Sequence, residues 1–564
     1  MTTVAVVGSG TAAEAVRAAL DDTDATVSNG GVSDVGSADL AVVVGLAGSD
    51  GFEAVNRKGT PWIAVEVGGL GGHALPDVDA AVSGFWPDEG CFACLSARVA
   101  ASNPEVADAP TGDRSTVRLA GALAGRAAVR ALAGESFGGQ VVEAPHRRRQ
   151  FLPVPTCPVC GTPRDRAFDW DGDSRTIEEA ATVAEGAVDD RVGVVAAVGE
   201  RESYPAPYYL AQSNDTSGFS DVSAPQQAAG VSTDWNAAYV KAVGEALERY
   251  SAGVYRASEF ETAMATHPDA VPPDAFVRPD DAPRPDPNDP LQWVRGEELD
   301  SGESVLLPAE FVQFPPPEER YRPAITTGLG LGNTAREAVA SGLYEVVERD
   351  AAMLAWYSTY DPLGLAVEDE AYDELARRAG SEGLDARAFL LTQDVDVPVV
   401  GVAVTREEWP RFAVGTSADF DPDAAARGAL EEAVQNWMEL RAMGRETAAR
   451  QEGAIGDYAD YPGRVRGFVN PETTIPTDSV GPDSAPEDEV GALVDALADA
   501  GMDAYAARTT TRDVEKLGFE ATRVLVPDAQ PLFVGDSYFG DRARDVPESL
   551  GFEPALDKAY HPFP

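Results

Sequence analysis

Two segments of the chain place pairs of glutamates where a helix would bring them to one face. The segments read Lys241-AVGEALER-Tyr250 and, about 100 positions later, Ser341-GLYEVVER-Asp350. Because residues i and i+3 share a face of a helix, each segment would present two carboxylates in one direction. These are the carboxylates of Glu245 and Glu248 in the first segment and of Glu345 and Glu348 in the second. Oxygen ligands gathered in this way suit Mg²⁺, which completes its coordination shell with water and substrate phosphates.

The same pairs have a less specific interpretation. Asp and Glu account for 94 of the 564 residues, and in so acidic a chain an E-x-x-E pair is usually a solvated helix face. Two observations favour a site. Both pairs lie among Ala, Gly and other apolar residues, and the pattern of Glu, two apolar residues, Glu and Arg occurs twice. The spacing alone therefore indicates a magnesium site without excluding an exposed face.

All four cysteines fall into two C-x-x-C pairs, Cys91 with Cys94 and Cys157 with Cys160. Two thiolates three positions apart can bind one ion, and two such pairs complete the four-thiolate shell of a structural zinc site. Disulfides are one alternative, disfavoured in a reducing cytosol. A redox pair is another, although neither pair is expected to open a helix after a strand as thioredoxin-type pairs do. A helix over residues 115–133 is predicted between the two pairs.

The net charge is extreme. With 44 Lys plus Arg against 94 Asp plus Glu, the formal charge is −50, while 44% of the residues are hydrophobic and can form large cores. Only four of the basic residues are lysines: Lys58, Lys241, Lys516 and Lys558. A carboxylate-coated, Arg-rich surface is typical of a cytoplasm of very high ionic strength, as in a halophilic archaeon. It also argues against binding to nucleic acid or to an anionic membrane.

The first part of the chain alternates between strand-like and helix-like segments. Apolar runs begin at Val4, Leu40 and Pro61, and an Ala-rich helix is expected from Thr11 to Leu20, which predicts a βαβ unit with a parallel sheet. The first turn reads Gly8-Ser9-Gly10-Thr11-Ala12-Ala13, a loose dinucleotide pattern. In dinucleotide-binding domains an acidic residue usually ends the second strand, and this chain has none there. The turn therefore has two interpretations, a nucleotide site or a scaffold that keeps only the tight turn.

The remaining sequence features concern the location of the protein and two predicted loops. No stretch approaches the roughly 18 consecutive apolar residues of a membrane span, and the N-terminus does not read as a signal peptide, so a cytoplasmic location is predicted. Residues 266–292 and 469–488 are rich in Pro and Asp and are predicted to be loops.

Upstream of the second acidic pair the chain closely resembles the YcaO superfamily. The family signature is a Gly-rich approach, an Asn, a Glu four residues later and then E-x-x-E-R. Here it reads Gly330-Leu-Gly332-Asn333, then Glu337, then Glu345 to Arg349. The family's first motif matches Gly230 to Tyr250, and a later helix with the pattern LxEAxQ matches Ala429 to Gln435. The resemblance runs from about residue 174 through VPDAQPLFVGD to the ending His561-Pro562-Phe563-Pro564.

This resemblance implies binding of ATP and Mg²⁺ without a P-loop. By position, the magnesium ligands would be Glu245, Glu248, Glu345 and Glu348, and the ATP-binding residues Lys241, Asn333, Glu337, Arg349, Arg427, Glu432 and Gln435. Glu431 replaces Glu432 if the alignment shifts by one residue. Lys241 stands where the family helix often has Ser, and it either supplies a cation or lies on the surface. The Pro-rich ending implies that the terminal carboxylate of Pro564 acts as catalytic base, the alternative being a stiff tail that covers an edge.

The first 165 residues resemble the truncated, zinc-bearing scaffold, similar to ubiquitin-activating enzymes, that accompanies YcaO cyclodehydratases. The predicted architecture is therefore α/β (α+β). A partial Rossmann domain with the zinc site spans residues 1–165, and a YcaO domain binding ATP and Mg²⁺ spans 174–564. The family's winged-helix leader-peptide clamp is not expected, because the chain enters its first strand at Val4. A separate substrate-recognition protein is then a candidate partner, and a homodimer is expected.

Three functions follow as hypotheses from this resemblance. In the first, a Cys, Ser or Thr side chain of a peptide or protein substrate attacks the preceding amide carbonyl. The oxyanion takes the γ-phosphoryl group of ATP, and loss of phosphate leaves a thiazoline or oxazoline. The second is backbone thioamidation with a sulfur-delivering partner protein. The third is a scaffold without enzymatic activity, which the intact acidic set disfavours.

Overall fold

The computed structural model describes residues 2–450, 454–482 and 484–563. We call residues 2–165 the N-terminal unit. Its strands are β1 (Thr3–Val7), β2 (Thr26–Ser28), β3 (Leu40–Leu46), β4 (Trp62–Val67), β5 (Gly69–Leu70), β6 (His73–Ala74), β7 (Ala80–Phe85), β8 (Gln140–Glu143) and β9 (Arg147–Gln150). Its helices are α1 (Thr11–Leu20), α2 (Asp50–Asn56), α3 (Phe92–Ala101) and α4 (Arg114–Leu132). The predicted βαβ start and the helix between the cysteine pairs are thereby confirmed.

Seven of the nine N-terminal strands form one sheet in the order β2-β1-β3-β4-β7-β8-β9, parallel from β2 to β4 and antiparallel beyond. Strands β5 and β6 form a separate antiparallel pair. Alternate residues of β1 point to opposite faces: Val4 and Val6 join a core with α1 and α4, whereas Ala5 joins a core with α2 and α3. A Cβ on Gly8 would lie 2.3 Å from the Val44 carbonyl oxygen, and Gly8 has a φ of +111°. These two constraints account for the glycine in the first turn without a nucleotide.

Residues 174–563, which we call the catalytic unit after the hypothesis drawn from the sequence, contain three further sheets. Their strands are β10 (Val195–Glu202), β11 (Tyr208–Ser213), β12 (Gln227–Val231), β13 (Glu261–Met264), β14 (Pro290–Glu298), β15 (Ser304–Pro308), β16 (Leu329–Gly332), β17 (Gly364–Ala366), β18 (Asp385–Leu390), β19 (Val399–Thr405), β20 (Phe412–Ala418), β21 (Thr474–Pro476), β22 (Tyr505–Arg508) and β23 (Glu520–Leu525). The sheet orders are β10-β11-β12, β13-β14-β22-β23-β16 with β15 beside β14, and β20-β19-β18-β17-β21.

Twelve helices of the catalytic unit lie within the described residues. They are α5 (Ile177–Ala184), α6 (Trp235–Gly253), α7 (Ala309–Val312), α8 (Ala335–Trp356), α9 (Glu370–Ser381), α10 (Pro422–Met443), α11 (Arg445–Ala448), α12 (Ala454–Tyr458), α13 (Gly463–Arg466), α14 (Glu489–Asp499), α15 (Arg512–Leu517) and α16 (Arg542–Ser549). None of the helices in the described part of the chain is long and apolar enough to cross a bilayer. The predicted loops at 266–292 and 469–488 hold mainly irregular backbone, although the second also forms β21 against β17.

Three strand–helix pairs of the catalytic unit repeat one packing device. In each pair, a strand glycine lies directly against the helix that follows it. A Cβ at that glycine would approach helix backbone atoms within 2.1 to 2.4 Å: at Gly230 against Ala238 and Ala242, at Gly330 against Ala338, and at Gly415 against Ala429 and Ala433. The strand and helix backbones can meet this closely only where both lack bulky side chains. The three long helices α6, α8 and α10 are set on their sheets in this way.

Gly330→Ala is therefore expected to destabilise the protein by about 1–3 kcal/mol, because the new methyl group would lie 2.1 Å from the Ala338 carbonyl oxygen. Gly380→Ala on α9 is the matched control. Its Cβ meets no atom of the described residues within 4 Å, and alanine favours a helix interior by up to about 1 kcal/mol. Thermal or denaturant unfolding of both variants measures the difference. Equal stabilities for the two would contradict the close packing.

One apolar core joins the two units. It contains Phe52 and Trp62 of the N-terminal sheet layer together with Val243 and Leu247 of α6. Helix α6, which carries the first predicted acidic pair, is thus packed against the N-terminal unit on one side. The division near residues 165–174 stays a prediction from the sequence.

Candidate active site and metal centre

Five glutamates from α6, α8 and α10 meet in one place, which we call the acidic cluster. They are Glu245, Glu248, Glu345, Glu348 and Glu432. Three of them accept a hydrogen bond from a backbone N–H in, or next to, the strand that precedes their helix. The donors are Ala229 to Glu245 Oε2 (2.6 Å), Gly328 to Glu345 Oε2 (2.9 Å) and Thr416 to Glu432 Oε2 (2.6 Å). The same strand–helix contacts that fix the helices therefore also orient these carboxylates.

Arg349 is a cation that three members of the cluster share. Its guanidinium lies 3.6 Å from Glu348 Oε1, 3.9 Å from Glu345 Oε1 and 3.8 Å from Glu432 Oε1. Glu348 is 9% exposed and also accepts a 2.5 Å hydrogen bond from the Thr416 hydroxyl. The three glutamates of α8 and α10 thus surround one arginine, and their carboxylates outnumber its single positive charge.

Burial and mutual repulsion raise the proton affinity of four glutamates of the cluster. Burial, followed by the charges of Glu345 and Glu245, raises the pKa of Glu248 to about 8. Burial also raises the pKa of Glu432 to about 7, and it raises the pKa values of Glu245 and Glu348. Carboxylates that resist ionising together are typical of a site that receives divalent cations. The all-oxygen donor set fits Mg²⁺.

The predicted nucleotide residues on α8 lie at the start of that helix. The backbone N–H and the side-chain amide of Asn333 both donate to Glu337 Oε2, at 2.7 and 2.9 Å. Within the described part of the chain, the buried Oδ1 of Asn333 has no hydrogen-bond partner. An orphaned buried acceptor is unusual and is available to a polar ligand.

The sequence left Glu431 and Glu432 interchangeable, and the structure separates them. Glu432 faces the Thr416 N–H and Arg349. Glu431 accepts hydrogen bonds from the Ser232 hydroxyl (2.8 Å) and the Thr233 N–H (3.1 Å), and it pairs with Lys241. Lys241 is half exposed, so its ammonium is both a surface group and a partner of a buried carboxylate.

The other two predicted residues of α10 lie at different distances from the cluster along the helix. Gln435 donates to Glu439 Oε1 at 3.1 Å, and the charge of Glu439 reaches Glu245. Arg427 instead pairs with Asp369 at the start of α9, at 2.7 Å, and this is its ion pair among the described residues. The structure therefore places Gln435 beside the cluster and ties Arg427 to α9.

Glu439 and Arg523 are site residues that sequence reasoning missed. Ala238, Ala338 and Ala429 are the helix residues that face the three strand glycines. Glu248 and Glu348 lie ten positions after the first two, and Glu439 lies ten positions after Ala429. This repeated spacing is the signal that could have identified Glu439. Arg523 is 1% exposed and donates to the carbonyls of Ile325 and Thr326 at 2.9 Å. Its charge reaches Glu248 and Glu345. It lies on β23, beyond both acidic motifs, and no local pattern marks it.

The four cysteine sulfurs form a second cluster, in the N-terminal unit. All four lie within 4.8 Å of one another, with separations of 3.5 Å for Cys91–Cys157, 3.3 Å for Cys94–Cys160 and 3.8 Å for Cys91–Cys94. A tetrahedral ion with sulfurs at about 2.3 Å requires separations of about 3.8 Å, so the donor set fits zinc. The thiols share protons within the cluster: contact with Cys157 lowers the pKa of Cys160, whereas contact with Cys160 raises the pKa of Cys157. A metal ion bound there would require all four as thiolates.

One expectation about the cysteines was wrong. Cys91 is the residue before α3, and α3 is the next helix after β7, so the first pair does open a helix after a strand. The second pair lies in a turn, where the Gly161 N–H donates to the Cys157 carbonyl at 2.8 Å. The four sulfurs lie together across the two pairs, an arrangement typical of a metal site and not of two separate redox pairs.

Pro564, the predicted catalytic base, lies outside the described residues. The residues before it are buried near the end of α8. Phe563 packs against Trp356 with ring centroids 6.4 Å apart, and His561 lies between the carbonyls of Phe533 and Phe563, each at 3.1 Å. Burial lowers the pKa of His561 to about 4, so this imidazole is neutral at pH 7.

Thr416→Val tests the hydroxyl that orders Glu348. Valine keeps the shape but leaves Glu348 Oε1 without its 2.5 Å donor, and losing a hydrogen bond to a carboxylate costs about 1.5–3 kcal/mol. Nucleotide binding in Mg²⁺ is expected to weaken by about tenfold or more. Thr416→Ser, which keeps the hydroxyl, is the control and should bind nearly as the parent does. Calorimetry with a non-hydrolysable ATP analogue measures both, and equal affinities for the Val and Ser variants would contradict the assignment.

An acidic cluster on three packed helices, with an arginine and an open polar acceptor beside it, defines a class of site that can hold divalent cations together with a polar ligand. A family model described as a YcaO cyclodehydratase that binds ATP and Mg²⁺ matches residues 229–530. The chain belongs to the YcaO family, and it is an ATP-dependent enzyme.

Relatives and solved structures agree with this assignment. The chain is 30% identical over 330 residues to an uncharacterised protein of Methanothermobacter thermautotrophicus, covering 54% of this chain and 82% of the relative. A heterocyclase solved with substrate and cofactor shares the fold with a TM-score of 0.73 at 19% identity, covering 98% of this chain and 83% of that one. A YcaO protein from Methanopyrus kandleri, solved with AMPPCP and Mg²⁺, has a TM-score of 0.50 at 25% identity, covering 64% and 94%.

Proposed function

We propose that the protein uses ATP and Mg²⁺ to phosphorylate a peptide-bond oxygen and thereby forms a thiazoline or oxazoline in a peptide or protein substrate. The acidic cluster with Arg349 is the observation that carries this proposal. Phosphoryl transfer needs phosphate charge to be neutralised and the reacting groups to be positioned, and a cluster of carboxylates achieves the first by holding Mg²⁺. Full-length similarity of fold to a heterocyclase supports the cyclising reaction.

The residues divide into two groups in this proposal. Glu245, Glu248, Glu345 and Glu348 hold Mg²⁺, which when bound neutralises the phosphates of ATP. Asn333 and Glu337 at the start of α8, Arg349, Glu432 and Gln435 bind or orient the nucleotide, with Lys241 and Arg427 at the edge of the site. Arg349 is placed to compensate negative charge whether it comes from glutamates or from phosphate.

The reaction balances without an oxidant. The substrate side chain gives up its S–H or O–H proton to a base as its sulfur or oxygen forms a bond to the amide carbon, and the carbonyl oxygen takes the γ-phosphoryl group, releasing ADP. Loss of phosphate with the amide proton then leaves the azoline, so the substrate loses one water in total. The thiazole or oxazole stage would need a separate oxidising enzyme.

We assign the four cysteines to structural zinc and the N-terminal unit to a scaffold resembling ubiquitin-activating enzymes. Four thiolates leave no open coordination position, so such an ion stabilises the fold and takes no part in the reaction. The substrate would be recognised with help from a separate protein. The acidic surface suits a cytoplasm of high ionic strength, in keeping with a halophilic source.

The test is a reaction in molar KCl with ATP, Mg²⁺ and a library of peptides containing Cys, Ser and Thr. Loss of the mass of one water together with release of ADP and phosphate is the expected result. The same mixture with a non-hydrolysable ATP analogue is the control. ATP hydrolysis that depends on a peptide but leaves its mass unchanged would contradict azoline formation.

Backbone thioamidation with a sulfur-delivering partner is the second candidate. The acidic cluster and the family match serve this reaction equally, because it too transfers a phosphoryl group from ATP to a peptide-bond oxygen. Adding a sulfide source to the reaction distinguishes the two, because replacement of oxygen by sulfur raises the peptide mass whereas cyclisation lowers it.

A further inference from the structure

A segment of the catalytic unit reaches into the cysteine cluster of the N-terminal unit. This segment, residues 509–519, connects β22 to β23 and contains α15. Arg512 directs all three guanidinium nitrogens at the N-terminal unit. Nη2 lies 3.1 Å from Cys160 Sγ and 3.5 Å from Cys94 Sγ, Nη1 donates to the Cys160 carbonyl at 2.5 Å, and Nε donates to the Val154 carbonyl at 3.1 Å. One arginine thus contacts both C-x-x-C pairs.

The neighbouring Asp513 continues this contact to α6, the helix that carries Glu245 and Glu248. Its carboxylate forms an ion pair with Arg98 of α3, the helix that begins at the first cysteine pair. The Tyr250 hydroxyl donates to the same carboxylate oxygen at 2.7 Å. Arg98 and Asp513 are 1% and 0% exposed, so water does not compete for the pair. Tyr250 lies on α6, two residues after Glu248.

The charges explain why an arginine is needed at this place. A divalent ion held by four thiolates carries a net charge of about −2, and burying it between two units requires compensating positive charge. Groups of this kind around a metal site typically alter metal affinity by about 10–100-fold. Lys516 of the same segment, by comparison, pairs with Glu89 at a partly exposed position and contacts no sulfur among the described residues.

We propose that metal binding at the four cysteines and docking of segment 509–519 are one coupled equilibrium, in which Arg512 is the positioning residue and Asp513 extends the coupling to α6. This inference rests on the proposed metal site. Because coupling free energy is reciprocal, the docked segment tightens metal binding and the bound metal tightens the segment. The metal centre would then hold segment 509–519 and α6 of the catalytic unit in position, without taking part in the reaction.

Metal affinity of the full-length protein tests the first half of the coupling. Arg512→Gln is expected to weaken zinc retention by about 10–100-fold in competition with a chromophoric chelator. Arg512→Lys, which keeps the charge but loses the forked contacts, should lie between this variant and the parent. Lys516→Gln is the matched control from the same segment and should retain zinc as the parent does.

Hydrogen exchange of the parent protein tests the second half and does not depend on any variant folding. Removing the metal with a chelator is expected to raise amide exchange at least about tenfold in residues 509–519 and in the last two turns of α6, residues 247–253, and added zinc should restore protection.

The outcomes separate the two proposals. Parent protein without any bound metal would overturn the metal site and this coupling with it. Metal held equally by the parent and Arg512→Gln, or exchange in 509–519 that ignores the metal, would overturn the coupling alone.

Discussion

Glu248→Gln is expected to weaken Mg²⁺-dependent nucleotide binding strongly and at the same time to stabilise the metal-free protein. The two effects have one cause. Glu248 lies against Glu245 and Glu345, and burial together with their charges raises its pKa to about 8. A neutral amide removes that repulsion but also removes a ligand oxygen with negative charge. Enzymes commonly accept such instability at a site because the ligand needs it.

The size of each effect can be stated. Losing one charged magnesium ligand is expected to weaken nucleotide binding or turnover by about 10²–10³-fold, comparable to removing one group that stabilises transition-state charge. The gain in free energy of unfolding without Mg²⁺ should be on the order of 1 kcal/mol, after allowing for the partial exposure of the side chain.

The pH dependence gives a second readout. The folded pKa of about 8 lies above the ordinary value of 4.5, so the contribution of Glu248 to stability is fully present below about pH 4.5 and is lost as the pH rises to about 8. In that range the unfolded chain has released the proton and the folded protein retains it. Unfolding of the metal-free parent should therefore become easier with rising pH, and the Gln variant should lose part of this dependence.

Thermal unfolding in a chelating buffer near pH 5 and near pH 8 measures how the stability of the metal-free protein depends on pH. Calorimetry with a non-hydrolysable ATP analogue in Mg²⁺ measures the affinity for the nucleotide. Glu374→Gln is the control, because Glu374 forms an exposed pair with Arg378 on α9 and should change neither quantity appreciably. A Glu248→Gln protein that binds the analogue in Mg²⁺ as tightly as the parent does would falsify the assignment of Glu248.

Cys94→Ser is expected to release the bound ion and to destabilise the protein by about 4 kcal/mol or more. Cys94 is fully buried, and its sulfur lies 3.3 Å from Cys160 and 3.8 Å from Cys91. The serine hydroxyl is a poor zinc ligand, and the three remaining thiolates cannot complete a four-coordinate shell. The loss should extend to the catalytic unit, because one apolar core joins the units.

Elemental analysis of the purified variant and its unfolding midpoint check this expectation. Ser96→Ala is a matched control on the same helix. Ser96 contacts His73 and lies one turn after the start of α3, where the first cysteine pair lies. Thiol titration of the denatured parent separates metal from disulfide: four reactive thiols are expected after chelation. An absence of reactive thiols before reduction would point to disulfides.

Local spacing was informative wherever the chemistry lies within one element. The two E-x-x-E-R pairs lie on long helices because residues three apart share a helical face in any fold, and α1, β3 and β4 formed where the apolar pattern indicated. Membership of the YcaO family, indicated by those motifs, is confirmed by the family model. The two C-x-x-C pairs were recognisable for the same reason, since each is a local turn geometry.

Contacts between distant elements were not accessible in this way. Glu431 and Glu432 are adjacent on α10, and only the packing of α10 against β20 and α8 decides that Glu432 turns toward Arg349. Arg523 approaches Glu248 through a β-strand 275 positions further along the chain, and no periodicity encodes that approach.

The net charge of −50, the two acidic pairs and the two cysteine pairs follow from the sequence by itself, because composition and short-range spacing do not depend on the path of the chain. Tertiary structure alone decided which of the 94 acidic residues are buried together, and that Arg512 lies against sulfurs more than 350 positions away. The physical reason is that burial and electrostatic partnership are properties of three-dimensional proximity, which the close glycine contacts of α6, α8 and α10 create and which no local pattern specifies.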